Sequence, residues 1–215
     1  MYQKEYKTSK IKYNEKLINQ MFQNQKKIAL KKAFENDKSK KGEIDKEILS
    51  TINLINSHPN FYTTSSCAGR IMLVKEGIKK NETNWLFVSH DYVKLSDIKR
   101  IIKNFENNLP KESVWFRMEA PILHICAENL DLADKLLKIA NNSGFRRSAI
   151  LSFKKRVIIE IFIPDKINTI FSRNKKILVS DDYLKVLIKE ANNKLKKARL
   201  KVKKFEYLFK NLSLS

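Results

Sequence analysis

The chain has 215 residues, 42% of them hydrophobic, and 44 Lys and Arg against 23 Asp and Glu, for a formal net charge of +21. A core of ordinary size can form, which excludes wholesale disorder, and the absence of any apolar run near ~18 residues excludes a membrane-spanning helix. Cys67 and Cys126 form no CxxC and the chain has only 3 His, so no structural metal is expected and a reducing, cytoplasmic setting fits. The first residues carry charge without a following apolar run, so no secretory signal is expected. So large a cationic excess draws polyanions, nucleic acid first. A coat of scattered lysines without a partner is the competing reading.

In chain order, apolar residues at helical spacing (Leu17, Ile18, Met21, Phe22, Ile28, Ala29) predict a helix over 11–35. Asp37 to Gly42 breaks it. A second helix carries Ile44, Ile48, Ile52 and Ile55 on one stripe, with Asp45 placed to cap its start and Pro59 ending it. Short β-rich runs follow at 61–66, 71–75 and 85–90, the last two joined by a hairpin loop with Gly77 and residues 79–84. Ser96 is placed to cap a helix holding Ile98, Ile101, Ile102 and Phe105, stopped by Pro110. Strands are predicted at 114–119 and 122–127 around Pro121. A helix at 132–142 follows, with Gly144 as its C-terminal cap. Strands return at 148–154 and 157–163. Residues 164–177 read as irregular. A final helix over 181–211 presents Leu184, Leu187, Ile188, Ala191, Leu195 and Ala198 on one side, and Lys185, Lys189, Lys194, Lys196, Lys197 and Lys201 on another. The expectation is a single α+β domain over 1–215, with a central mixed or antiparallel sheet, flanking helices, and long terminal helices packed together. No Gly-x-Gly-x-x-Gly is present, so a Rossmann fold is not expected.

The most informative segment is Thr63-Thr64-Ser65-Ser66-Cys67-Ala68-Gly69-Arg70, between two strands. Small hydroxyls, a glycine that permits a tight turn, and the planar fork of Arg70 suit an anion-binding turn. An ordinary Ser/Gly turn with a solvent-facing Arg is the alternative. The segment resembles the hallmark Ser-x-Ser-Ser-Cys-x-Gly-Arg of the wybutosine-synthesising protein 3 family. Further landmarks resemble that family in order: Lys41-Gly42-Glu43-Ile44-Asp45, Ile55-Asn56, Trp85 to His90, Ile122-Leu123-His124, Ser143 to Ser148, and Val179-Ser180 with Tyr183-Leu184. The chain departs from it at Phe162-Ile163-Pro164-Asp165-Lys166, where the resemblance implies a stretch like Arg-Ser-Thr-His-Gly. Either this stretch contributes ligand contacts missing here, or it is a peripheral loop.

The resemblance implies a methyltransferase that uses S-adenosyl-L-methionine to methylate the N-4 nitrogen of the tricyclic wybutosine precursor in tRNA-Phe. Methyl transfer gains most from positioning, and a proton must leave the acceptor nitrogen. Asp45, His90 and His124 are the candidates to take that proton or orient the base. Helix capping is the other reading of Asp45, and a satisfied strand histidine that of His90 and His124. Ser65, Ser66, Gly69 and Arg70 are candidates for the cofactor, with Arg70 on its carboxylate or on a phosphate. Arg146 and Trp85 are candidates for the RNA or its base. Cys67 reads as packing rather than as a nucleophile, because a nitrogen acceptor needs no covalent activation. A non-catalytic RNA-binding protein with the same fold is the second reading, and a thiol-dependent enzyme using Cys67 a third.

Overall fold

A computed structural model describes residues 2–35, 45–75, 84–105 and 109–212, with side chains of the first range described for 16–32. The expected break at 37–42 and the hairpin loop with Gly77 and residues 79–83 lie outside these residues, while Asn84, expected in that loop, begins β3. In order the elements are α1 (Tyr2–Glu35), α2 (Lys46–Ser57), β1 (Phe61–Cys67), β2 (Arg70–Lys75), β3 (Asn84–Ser89), α3 (Leu95–Phe105), β4 (Val114–Glu119), β5 (Ile122–Ala127), α4 (Leu130–Ser143), β6 (Ala149–Ser152), β7 (Val157–Phe162), β8 (Lys166–Arg173), β9 (Lys176–Ile177) and α5 (Asp181–Leu212).

The α+β expectation holds, with every described strand pair antiparallel and the strands divided between two sheets. The first is ordered β1-β5-β7-β6 and the second β3-β2-β4-β8-β9. The chain passes from one sheet to the other at Ala68-Gly69, at Ala120-Pro121 and at Ile163-Pro164-Asp165. The register sets these crossings side by side. Cys67 pairs with Ile122 and Ile122 with Phe162 on one side, and Arg70 with Glu119 and Glu119 with Lys166 on the other. The divergent 162–166 stretch is therefore the third crossing of this seam, one strand away from the Ala68-Gly69 crossing.

Helix α5 spans both sheets. Leu184, Leu187, Ile188, Ala191 and Leu195 join the core of the second sheet with Ile71, Phe116 and Phe171. Ala198, Val202, Phe205 and Phe209 join that of the first, with Phe61, Leu123, Ile159 and the α2 stripe Ile48, Ile52 and Ile55. Each fully buried Leu, Ile or Phe contributes about 1.5–3 kcal/mol, so α5 ties the two halves together. This corrects the expected pairing of the terminal helices. The α5 stripe is buried as its spacing predicts, but against sheets and helices α2 to α4. Helix α1 instead lies on β1, where Phe22 meets Tyr62 with ring centroids 5.3 Å apart. The sheet faces offer α5 far more apolar surface than α1 could, since Leu17, Ile18, Met21 and Ile28 remain exposed.

Local details differ at two helix starts. Lys94, not Ser96, precedes α3, and the Asp97 carboxylate accepts its N–H. The Asp45 side chain makes no cap bond on α2. Gly144 ends α4 with φ +98°, as expected.

Candidate active site

The seam and helix α5 build the site. Gly69 sits at φ +80°, and a Cβ there would lie 2.8 Å from Leu195 Cδ1, 2.9 Å from Glu119 O and 3.0 Å from Pro121 Cδ. Glycine is required on both counts: the left-handed backbone and the close passage of α5 over the crossing. The same passage brings the start of α2 and the residue after β3 to the hallmark. The Asp45 Oδ2 accepts the Ala68 N–H at 2.9 Å. His90 Nδ1 lies 2.9 Å from Gly69 O and 3.2 Å from Asp45 Oδ2. A carbonyl can only accept, so Nδ1 carries the hydrogen and donates, which leaves the lone pair of the neutral ring on Nε2. Among the described residues, Nε2 has no hydrogen-bond partner. Both side chains are largely enclosed, at 18% exposed for His90 and 17% for Asp45. An oriented, partly dry imidazole with a free Nε2 can take up a proton.

Cys67 completes the cluster, its ligand atom and those of Asp45 and His90 all within 4.8 Å of one another. The trio has metal-ligand chemistry, yet the hydrogen bonds above already account for Asp45 Oδ2 and His90 Nδ1. Burial pushes the Cys67 thiol up, only partly countered by the charge of Arg70. A thiol raised in this way is a poorer nucleophile.

Between α2 and α5 lies a cavity of about 360 Å³; Asp45, Cys67 and His90 are not in its wall, and it adjoins them through Ala68 and Arg199, which bond to Asp45 and His90. Ala68 and Pro121 of the seam form part of its wall, with Tyr92, Glu47, Lys196, Arg199, Lys203 and Glu206. Arg199 donates from Nη2 to His90 O and stacks over Tyr92, 5.4 Å from the ring centroid. Its Nε is shut away from solvent with no acceptor among the described residues. Sequence reasoning missed these cavity residues. The available signal was the single arginine of α5 among lysines, with Lys196, Arg199 and Lys203 at i, i+3 and i+7 on one helix face.

A second cluster lies on the first sheet. Ser65 Oγ is 3.3 Å from His124 Nδ1, and His124 Nε2 is 2.9 Å from Glu160 Oε1. Both nitrogens of His124 are thus engaged. Pairing puts Ser65 beside His124 and Ser66 beside Leu123, hence on opposite faces of β1. The four hallmark candidates do not converge: Ser65 joins His124, Gly69 is packed under α5, and Arg70 pairs with Glu119 through Nε and Nη2 at 2.8 Å each. Arg70 also stacks over Trp85, 4.8 Å from the ring centroid. Arg146 is exposed in the turn after α4.

A histidine oriented by a carboxylate beside a charged cavity, on an antiparallel α+β frame, defines an enzyme-type site outside the Rossmann class. The comparisons agree. A family model described as Methyltransferase TYW3 matches residues 21–211. A Methanocaldococcus jannaschii protein is 37% identical over 164 residues, 74% of this chain and 83% of the relative; its name is tRNA(Phe) 7-((3-amino-3-carboxypropyl)-4-demethylwyosine(37)-N(4))-methyltransferase. A Pyrococcus abyssi protein of the same activity name is 34% identical over 171 residues, covering 78% of this chain and 86% of the relative. A solved structure from Pyrococcus horikoshii superimposes with a TM-score of 0.79 at 30% identity, over 91% of this chain and 97% of that one. The chain belongs to the Methyltransferase TYW3 family and is a methyltransferase. Among the described residues no helix is long and apolar enough to cross a membrane.

Proposed function

We propose that this chain methylates the N-4 nitrogen of 7-(3-amino-3-carboxypropyl)-4-demethylwyosine in tRNA(Phe), with S-adenosyl-L-methionine as donor, in the cytoplasm. The observation that carries the reading is the Asp45–His90 pair, with His90 Nε2 unpartnered among the described residues, joined through Ala68 and Arg199 to the wall of the cavity. The cofactor fits what is present. The cavity lies in the range of small-molecule sites, and its cations and carboxylates match a donor that carries carboxylate, ammonium and sulfonium groups. Tyr92 offers an aromatic wall, and Arg199 holds a buried donor without an acceptor. When bound, the cofactor supplies an electrophilic methyl group.

The chain's own residues do the rest. Asp45 and Gly69 O hold Nδ1–H of His90, which leaves Nε2 as the proton acceptor for the N-4 nitrogen. Asp45 is a positioning residue and also stabilises the imidazolium once it forms. The hallmark acts through its backbone: the Ala68 N–H fixes Asp45, Gly69 O fixes His90, and Gly69 admits α5. Of the hallmark side chains, Ser66 is the serine on the core-ward face of β1. Arg70, held by Glu119, keeps Trp85 in place as a surface for the flat base. Ser65 with His124, together with exposed Arg146, faces the RNA. The net charge of +21 supplies the general attraction to tRNA.

The test is incubation of the purified chain with S-adenosyl-L-methionine and precursor-bearing tRNA(Phe), read by mass analysis of the modified base. A base heavier by one methyl is expected. An unchanged base, with tRNA bound, would instead support an RNA-binding protein without catalysis.

A further inference from the structure

The cavity between α2 and α5 has a charge layout that narrows which part of a ligand it can take. Lys196, Arg199 and Lys203 line it from one face of α5, and Glu206 continues that face, while Glu47 comes from the first turn of α2. Three cations and two carboxylates thus share one space of about 360 Å³, yet among the described residues no salt bridge joins any of them to another. Glu206 is held from behind: its Oε1 accepts the hydroxyls of Ser50 at 2.7 Å and Thr51 at 2.5 Å. Its Oε2 has no partner among the described residues. Arg199 spends one donor on His90 O and keeps a buried Nε with no acceptor among the described residues. A buried donor beside a half-exposed carboxylate oxygen, both open among the described residues, suits a partner with both characters. A simple anion such as phosphate would meet Glu47 and Glu206, and a simple cation would meet Lys196, Arg199 and Lys203. A zwitterion satisfies both sets.

We propose that this cavity is a receptor for an α-amino carboxylate, with Arg199, flanked by Lys196 and Lys203, taking the carboxylate and Glu206, with Glu47, taking the ammonium. Under the proposed function, on which the identity of the ligand rests, two molecules carry this group. One is the methionyl end of S-adenosyl-L-methionine. The other is the 3-amino-3-carboxypropyl substituent of the base named for the relatives. Because Arg199 also binds the carbonyl of His90, occupancy of the cavity is tied mechanically to the placement of the proton acceptor.

The experiment compares wild type with Arg199→Gln and Glu206→Gln. It uses calorimetry with S-adenosyl-L-methionine and with methylthioadenosine, the same nucleoside without the amino carboxylate. It also measures binding and turnover of tRNA(Phe) whose base has or lacks the aminocarboxypropyl group. Loss of a charge-assisted hydrogen bond predicts roughly a 10- to 100-fold weakening. If the cavity holds the cofactor, both variants weaken S-adenosyl-L-methionine by that factor and leave methylthioadenosine unchanged. If it holds the base substituent, cofactor binding is unchanged and the preference for the substituted tRNA collapses instead. Wild-type affinity for all four probes in both folded variants would overturn the proposal. Should Arg199→Gln fail to fold, Glu206→Gln and Arg199→Lys carry the same comparison, the latter keeping charge but losing the planar fork. Absence of turnover in the wild type would count against the methyl-transfer reading alone, since the two nucleoside probes still report on the cavity.

Discussion

His90 and His124 are both held by carboxylates close to the hallmark, and the contrast between them lies in hydrogen-bonding capacity. His124 gives one nitrogen to Glu160 and the other to Ser65. It has nothing left for a ligand unless a bond is broken. His90 gathers Asp45 and Gly69 O on the same nitrogen, and its other nitrogen has no partner among the described residues. Two carboxylate–histidine pairs of similar appearance thus differ in spare capacity, and an open ring nitrogen is what proton transfer needs.

The sharpest way to break this comparison is to remove each ring. His90→Ala is expected to lower kcat by about 10²- to 10⁴-fold, the usual worth of a positioned acid–base group. His124→Ala should lower it less than about tenfold, acting mainly on KM for tRNA. Steady-state methylation assays decide the matter, and a reversed order would move the chemistry to the Ser65 face. Asp45→Asn is expected to fall between the two, since the amide can still accept from Ala68 but no longer offsets a charged imidazolium.

Gly69→Ala probes the seam that holds His90. The strained φ and the contacts with Leu195, Glu119 and Pro121 predict a loss of about 1–3 kcal/mol in chemical denaturation. A neutral Gly69→Ala would show that α5 does not depend on close passage there. Cys67→Ala is expected to keep activity within about threefold, because a thiol pushed up by burial is a poorer nucleophile. Near-complete inactivation of a folded Cys67→Ala protein would revive the thiol-dependent reading.

The smallest expected effect concerns pH, at the corner where α1 meets β1. Burial first, and then the nearby charge of Lys26, hold His58 below its ordinary pKa of 6.5. The folded state therefore prefers the neutral ring. The stability it contributes is complete above pH 6.5 and is lost as pH falls below that value, where the unfolded chain takes up the proton first. His58→Gln should flatten the fall in Tm between about pH 7 and 5. An unchanged slope would place the titration elsewhere.

Most of the fold was legible because its signals are local. The α2 stripe of Ile48, Ile52 and Ile55 and the strands on either side of Pro121 follow from periodicity and punctuation. Strand β8 was not legible. Its pairing with β4 skips from Ser172 to Ile170, so a bulge at Phe171 breaks the alternation that marks a strand. The turn that follows puts Asn174 and Lys175 at φ +50° and +63° without a glycine to announce it. It is held from outside by Lys111 O and Pro110 O.

The site divides along the same line. The order of the residues was enough to single out Asp45, Gly69 and His90, because each stands in a recognisable local pattern. It could not say that Asp45 leaves its helix uncapped to hold the Ala68 N–H and His90, or that Ser65 and Ser66 part to opposite faces. It also could not show that Arg199 and Glu206 meet Glu47 across a cavity. Propensity and periodicity act over a few residues and are written into the chain. Convergence depends on where the two sheets exchange strands and on the path of one long helix over that seam, and only the packed structure decides those.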